Sequence, residues 1–332
     1  QADLAGNASR LSAAVSGLWN RSAATALSRL LEGLPRTGTV VHCHGWAKAL
    51  SPSIGPILAD RRWPSVYTVH EYFLACPNGG FYNYQINRIC TLKPLSAACV
   101  TTNCDVRHPA HKAWRVARQW VARGPGRLPR GLQHIVFLNQ RQHDLLAPYL
   151  SSQSRAHVVG NPVPVERQPR AACAQSEIFL FVGRLSSEKG GALLAAAARR
   201  AGVRVVYVGD GELRGAIERA APEAEFAGWC APPEVEQWIR RARVLVFPSL
   251  WYECSPLTVV EAIAHGVPVI TGDQCLATDN VWHDINGLHF AMGSEDALVA
   301  ALEACKSDVL VDRLSQTAHD RYWADPHTLD RH

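Results

Sequence analysis

Short runs rich in Val, Ile, Leu and Phe recur along the chain, separated by stretches of about ten to fifteen residues with helical spacing. Strands that are apolar on both faces and joined by helices build parallel sheets, because each crossover helix covers a face. In the front half the order reads one or two helices over Asn7–Leu34, strand "GTVVHCHG" with a polar end at His42, Cys43 and His44, and a helix over Ser51–Arg62. Strand "SVYTVHEY", a helix over Pro109–Arg123, strand "HIVFL", a helix over Gln140–Leu150 and strand "AHVV" follow. The back half reads "EIFLFVG", helix Lys189–Ala201, "VRVVYVG", helix Glu212–Ala220, "AEFAG", helix Pro233–Arg241, "VLVFP", helix Leu257–His265 and "GVPVI". Between the halves, residues 161–176 are rich in Pro and polar residues and lack periodicity, as a linker would be. The expected class is therefore α/β, with two Rossmann-like doubly wound domains facing across a cleft, over residues 1–160 and 177–332.

A length of 332 residues with 47% hydrophobic content sustains two cores of this kind. No apolar run reaches the roughly 18 residues of a spanning helix, and ten scattered cysteines point to a reducing compartment. A cytoplasmic location is the expectation. Charge is divided unevenly: residues 1–160 hold 18 Lys and Arg against 6 Asp and Glu, while residues 161–332 hold 16 against 23. A basic front half suits an anionic partner. No RNA-binding signature or zinc-finger spacing accompanies it, so nucleic acid is not expected.

The stretch most suggestive of chemistry is "FPSLWYECSPLTVVEAIAHGVPVI", Phe247–Ile270. A buried strand runs through a polar turn into a helix N-terminus, which is a ready phosphate site. Ser255, Leu257 and Thr258 would offer backbone N–H groups, whereas Pro256 has none. Glu253 and Glu261 flank the turn; a carboxylate can cap a helix N-terminus, but here Glu253 could accept sugar hydroxyls and Glu261 the hydroxyls of a ribose. Upstream, "GRLSSEKG" leaves a strand with Gly183, Arg184 and Lys189, two cations suited to a diphosphate. In "VGDGELRG", Gly209, Gly211 and Gly215 miss the three-glycine dinucleotide spacing by one, so a nicotinamide oxidoreductase is the weaker rival and Gly209 reads as a turn beside the nucleotide.

In this order, "GRLSSEKG", "GDGELR", the Phe247–Ile270 stretch and "NGL" resemble the donor domain of the retaining glycosyltransferases of family 4, which have the GT-B fold. "VVHCHG", "YTVHEYFLACPNGG" and "GNPV" extend the resemblance over most of the chain. The resemblance implies that Glu253 contacts the donor sugar, Glu261 the ribose, and Arg184 and Lys189 the diphosphate. It further implies that His70 faces the reacting centre, where a lone His at a strand end is otherwise commonly structural, and that Gly228 and Trp229 hold the nucleobase. It also implies an opening strand with a glycine-rich loop and a closing helix. Nothing before Ser9 resembles the former and the chain stops at "DPHTLDRH", so a first domain incomplete at its N-terminus and a shortened last helix are expected.

The expected reaction is transfer of a sugar from a nucleotide diphosphate sugar, used as donor substrate without a further cofactor, to a hydroxyl of a glycan or lipid-linked acceptor. Absence of a D-x-D pair agrees with metal independence. A retaining glycosidase would hold its two carboxylates about 5 Å apart across the scissile bond, a poorer match to a pair separated by a helix N-terminus. A non-catalytic nucleotide-sugar-binding module is the remaining alternative. The irregular stretch 72–107 holds Cys76, Cys90, Cys99 and Cys104 without the close spacing of a zinc knuckle; reduced thiols are expected, with Cys104 and His108 the one zinc-chelating alternative. Lys112, Arg115, Arg118 and Arg123 on the helix Pro109–Arg123, beside Trp114 and Trp120, could rest on an anionic membrane, with Trp114, Ala117 and Val121 along one side.

Overall fold

The structure, a computed structural model, describes residues 10–330. The expected helical start at Asn7 and the stretch before Ser9 lie outside the described residues. The chain divides into two compact units, one ending at residue 160 and one beginning at 161, with residues 87–89 grouped with the second.

The first unit contains α1 (Arg10–Leu18), α2 (Arg21–Glu32), β1 (Val41–Cys43), α3 (Gly55–Leu58), β2 (Ser65–Thr68), α4 (Ala97–Thr101), α5 (Pro109–Arg123), β3 (His134–Phe137), α6 (Gln140–Leu146) and β4 (Arg155–Val158). Asn20 starts α2 by accepting the Ala23 N–H at 3.0 Å. The four strands pair in parallel in the order β1-β2-β3-β4. Every carboxyl end therefore lies on one edge of this sheet and every amino end on the other.

Helix α5 corrects an expectation. Its buried residues are Lys112, Val116, Arg118, Gln119 and Ala122, rather than the Trp114–Ala117–Val121 side. Arg118 lies over the rings of Phe73, Trp114 and Trp46 at 4.5, 4.9 and 5.3 Å, and burial pulls its pKa down to about 10. Arg115 pairs with the buried Asp105 at 2.8 Å, and Lys112 Nζ lies 3.2 Å from Cys104 Sγ and 3.7 Å from Cys99 Sγ. Most cations that suggested a membrane-facing helix thus point into their own unit, because Phe73, Cys99, Cys104 and Asp105 of the irregular stretch 72–107 draw them inward. His108 caps α5 by accepting the Ala110 N–H at 3.2 Å. None of the ten cysteines is joined in a disulfide. Among the described residues no cluster of three or more His, Cys, Asp or Glu is placed to hold a metal ion, and no helix is long and apolar enough to cross a membrane.

The second unit runs β5 (Ile178–Val182), α7 (Gly191–Ala201), β6 (Arg204–Val208), α8 (Arg214–Ala220), β7 (Glu225–Gly228), α9 (Pro232–Arg241), β8 (Val244–Phe247), α10 (Leu257–Ala264), β9 (Val269–Gly272), β10 (Gly287–Phe290), α11 (Glu295–Ala304) and α12 (Asp308–Ala324). All six strands are parallel, in the order β7-β6-β5-β8-β9-β10. The chain starts at the middle, builds outward to β7, returns beside β5 and builds the other way. Right-handed crossovers then place α7 and α8 on one face and α10 on the other. The packing agrees: α7 meets α8 and α11, whereas α10 meets α9 and α12. Strand β8, buried at all four positions, lies in the middle of the core. Residues 161–176 are tied onto this unit, with the Val163 N–H donating to the His327 carbonyl and the Ala171 N–H to that of His265, each at about 3 Å.

Candidate functional site

Where strand order reverses in a doubly wound sheet, the loops leaving the two central strands part and open a crevice at their carboxyl ends. Here the reversal lies between β5 and β8. The loop after β5 carries Gly183, Arg184 and Lys189; the loop after β8 carries Glu253 and runs into α10. The two stretches singled out by sequence are thus the two loops at the switch point.

Two glycines make this packing possible. Gly209, at φ +131°, follows β6, and a Cβ there would sit 2.0 Å from the Gly183 carbonyl oxygen. Gly190, at φ +72°, precedes α7, and a Cβ there would sit 2.0 Å from the Pro248 carbonyl oxygen. Backbone lies on backbone at both places.

Lys189 Nζ and Glu253 Oε1 meet at 2.7 Å across the crevice. Ser249 Oγ donates to the same oxygen at 2.6 Å, and the Trp251 ring lies 5.4 Å from the ammonium. Glu253 is buried and holds a left-handed backbone at φ +59°, a conformation that costs a non-glycine residue about 1–3 kcal/mol and recurs at functional sites. The Leu250 N–H donates to the Glu188 carbonyl at 2.8 Å, tying the loops together. Glu188 is buried and accepts from Ser186 Oγ at 2.8 Å. Arg184 reaches the Glu188 carboxylate only at 3.7 Å, and two thirds of its side chain is exposed (66%). Lys189 is a fixed charge, whereas Arg184 remains able to swing onto a ligand.

Helix α10 begins without a side-chain cap, behind Pro256. The Leu257 N–H, expected to be available, donates to the Ser255 carbonyl at 3.0 Å. Those of Ser255 and Thr258 have no partner among the described residues. Two unsatisfied N–H groups at an uncapped helix start favour an anion. Deeper in the helix, Glu261 is half-buried and its carboxylate makes no hydrogen bond or ion pair among the described residues. Burial, and after it the charge of Glu236, pushes its carboxyl above the usual range. A carboxylate held this way destabilises the ligand-free chain as pH rises through its raised pKa, and two donated hydroxyls would offset the cost. Glu261→Gln is therefore expected to raise the Tm of the ligand-free protein by about 1–3 °C while weakening nucleotide binding. Calorimetry with and without nucleotide checks both signs.

Cys275 lies close enough to Glu253 to feel its charge; burial first, and that charge second, push its thiol up to about 12. It is an inert packing residue beneath the pair. Gly228 ends β7 at φ +72°, and Trp229 beyond it is 78% exposed, an open indole at the carboxyl edge of the sheet. Asp210 takes the Gly211 N–H at 2.8 Å, so the turn offers a carboxylate where a pyrophosphate-binding loop needs free N–H groups.

In the first unit, His70 follows β2 at the carboxyl edge. Register sets Val41 beside Ser65 and Cys43 beside Tyr67, which brings His44 to the same edge. His44 Nδ1 lies 2.9 Å from His70 Nε2, and His42 Nε2 lies 2.7 Å from Thr68 Oγ1. The His42 and His44 rings are 4.1 Å apart and those of His44 and His70 5.2 Å. Sequence reasoning singled out His70 alone, although alternate His42 and His44 at a strand end was the signal for a shared face. Burial, then His44 and His42, pull the His70 pKa below its ordinary value. Protonation is thus harder in the folded chain than in the unfolded one. The stability that neutral His70 contributes is present above about pH 6.5 and lost as pH falls through its lower folded value. A Tm decline between about pH 7 and pH 5 that is smaller in His70→Gln than in the parent checks this sign.

Residues 176–308 match the family model described as Glycosyl transferases group 1. A GDP-mannose-dependent alpha-mannosyltransferase of Mycolicibacterium smegmatis is 37% identical over 123 residues, covering 37% of this chain and 32% of that protein. The curated relatives it matches are each covered over less than half of their own length. Among solved structures, sucrose-phosphate synthase of Thermosynechococcus elongatus superposes with a TM-score of 0.69 at 18% identity, over 92% of this chain and 73% of that one. The UDP-glucose complex of Anabaena HepE superposes with a TM-score of 0.61 at 16% identity, over 90% and 76%. The chain shares the fold of these GT-B glycosyltransferases. Within the second unit, the stretch 176–308 is similar to the Glycosyl transferases group 1 family.

Proposed function

We propose that the chain is a retaining glycosyltransferase that moves a sugar from a nucleotide diphosphate sugar to a hydroxyl of a glycan or lipid-linked acceptor in cell-envelope glycan assembly. The observation that carries this reading is the Lys189–Glu253 pair at 2.7 Å, set where the strand order reverses and beside an uncapped helix start. The family match over residues 176–308 and the UDP-glucose bound by the Anabaena protein support it.

In the proposed reaction the bond between the sugar's anomeric carbon and the β-phosphate oxygen breaks as the acceptor oxygen bonds to that carbon on the same face. The acceptor proton passes to the departing phosphate oxygen, and a nucleoside diphosphate leaves. Charge growing on the diphosphate is met by Lys189 and the Ser255 and Thr258 N–H groups, fixed donors that need no rearrangement as the reaction proceeds, and by Arg184, which swings onto the bound diphosphate. Glu253, held by Ser249 and Lys189, accepts sugar hydroxyls. Glu261 receives the ribose, and the base stacks on Trp229. His70, held by His44, serves the acceptor side.

Thermal shift with UDP, GDP and ADP and their sugar conjugates tests the donor. A ligand bound only by the folded state raises Tm with concentration, so one base is expected to raise it and its sugar conjugate to do the same. No response to any of them, together with saturable NADPH binding that no nucleoside diphosphate displaces, would favour an oxidoreductase instead.

A further inference from the structure

Away from His44 and His70, the first unit contains a cavity of about 540 Å³ lined by Arg61, Arg123, Arg127, Arg130 and Arg155, with no Asp or Glu in its wall. It lies at the amino-terminal edge of the sheet: His134 and Arg155, which open β3 and β4, are in its wall, as is Ala59 just ahead of β2. The carboxyl edge with His44 and His70 is the opposite one. None of the five arginines forms an ion pair among the described residues, and Arg61 donates to the Gln153 amide oxygen at 3.3 Å.

Three further features concern how these cations are held. Arg123 Nε and Nη2 are buried with no hydrogen-bond partner, which ordinarily costs about 1–3 kcal/mol per group, more for a charged one. Burial first, and the neighbouring charge of Arg130 as well, disfavour the Arg123 cation, while Tyr149 opposes them. Arg127 is held at φ +54°, a left-handed strain that fixes its place on the turn. The carbonyls ending α5 are already used, since Trp120, Val121 and Ala122 accept from the N–H groups of Gly124, Gly126 and Leu128. The wall therefore presents donors, and the charge that would satisfy them is missing.

We propose that this cavity is a binding site for a phosphate-bearing anion, separate from the donor site of the second unit. Guanidinium forks match phosphate oxygens in pairs, and the volume suits a small molecule or a lipid headgroup. Arg123 supplies the buried donors at the base, and the exposed Arg127, Arg130 and Arg155 close on the ligand from the rim.

The test is isothermal titration of the full chain with inorganic pyrophosphate at constant ionic strength, with chloride as control. A Lys189→Ala background weakens diphosphate binding in the second unit, and the arginine variants are compared in that same background, so any residual binding there is common to all of them. Wild-type arginines are expected to bind pyrophosphate saturably, and Arg130→Ala/Arg155→Ala to weaken it at least about tenfold; should that variant fail to fold, Arg130→Gln alone decides. Co-sedimentation separates the sources. Retention on phosphatidylglycerol but not phosphatidylcholine vesicles, released by pyrophosphate, assigns a lipid headgroup, whereas pyrophosphate binding without retention assigns a soluble phosphate compound. Affinity unchanged in the arginine variant, or pyrophosphate no better than chloride, overturns the proposal.

Discussion

Lys189→Ala is expected to lower kcat/KM for sugar transfer by about 10²–10³, the usual loss on removing one fixed donor from a developing negative charge. The same change takes the cationic partner away from the buried Glu253 carboxylate, to which Ser249 still donates. Breaking a buried pair from one side costs about 3–5 kcal/mol; with Lys189 still 20% exposed, about 2–3 kcal/mol is expected here. For a unit of this size that corresponds to a Tm lower by about 5–10 °C. Loss of activity and loss of stability can be told apart. Lys189→Met combined with Glu253→Gln removes both charges and is expected to recover most of the Tm without recovering transfer. Recovery of transfer in the double variant would assign the pair to structure alone.

Gly209→Ala is the second large effect. The added Cβ would stand 2.0 Å from the Gly183 carbonyl oxygen, at a φ of +131° that an L side chain rarely adopts. Steric displacement and backbone strain together are expected to cost about 3–5 kcal/mol, lowering Tm by about 10 °C or more. Because Gly183 must move, Arg184 moves with it, and donor affinity is expected to fall as well. Gly202→Ala is the control: its φ is +61°, but nothing lies within 4 Å of the new Cβ, so about 1 kcal/mol is expected. Equal denaturation midpoints for the two variants would contradict this account of the glycine packing.

Much of the second unit was legible in the chain because its strands are buried on both faces and read as unbroken apolar runs, as in Val244–Phe247 and Ile178–Val182. Helix α10 was legible from Leu257 to its stop near Gly266 for the same reason. Strand β10, only Gly287–Phe290 and interrupted by His289, carries no such run and was not anticipated. What sequence could not supply were pairings across long separations. Lys189 and Glu253 are 64 residues apart and meet through the reversal of strand order. His44 and His70 meet through the β1–β2 register. The basic face read onto α5 failed similarly, since Asp105, Phe73 and the two thiols that draw its cations inward lie in a stretch with no periodicity.

The most direct measurement of the central claim is release of free nucleoside diphosphate on incubating the chain with the nucleotide sugar that stabilises it and a hydroxyl acceptor, with the anomeric configuration of the product read by NMR. The account predicts release coupled to a product that keeps the donor's configuration, and its loss in Glu253→Gln with donor binding largely kept. Donor that binds but never yields nucleoside diphosphate, or transfer undiminished in Glu253→Gln, would contradict it.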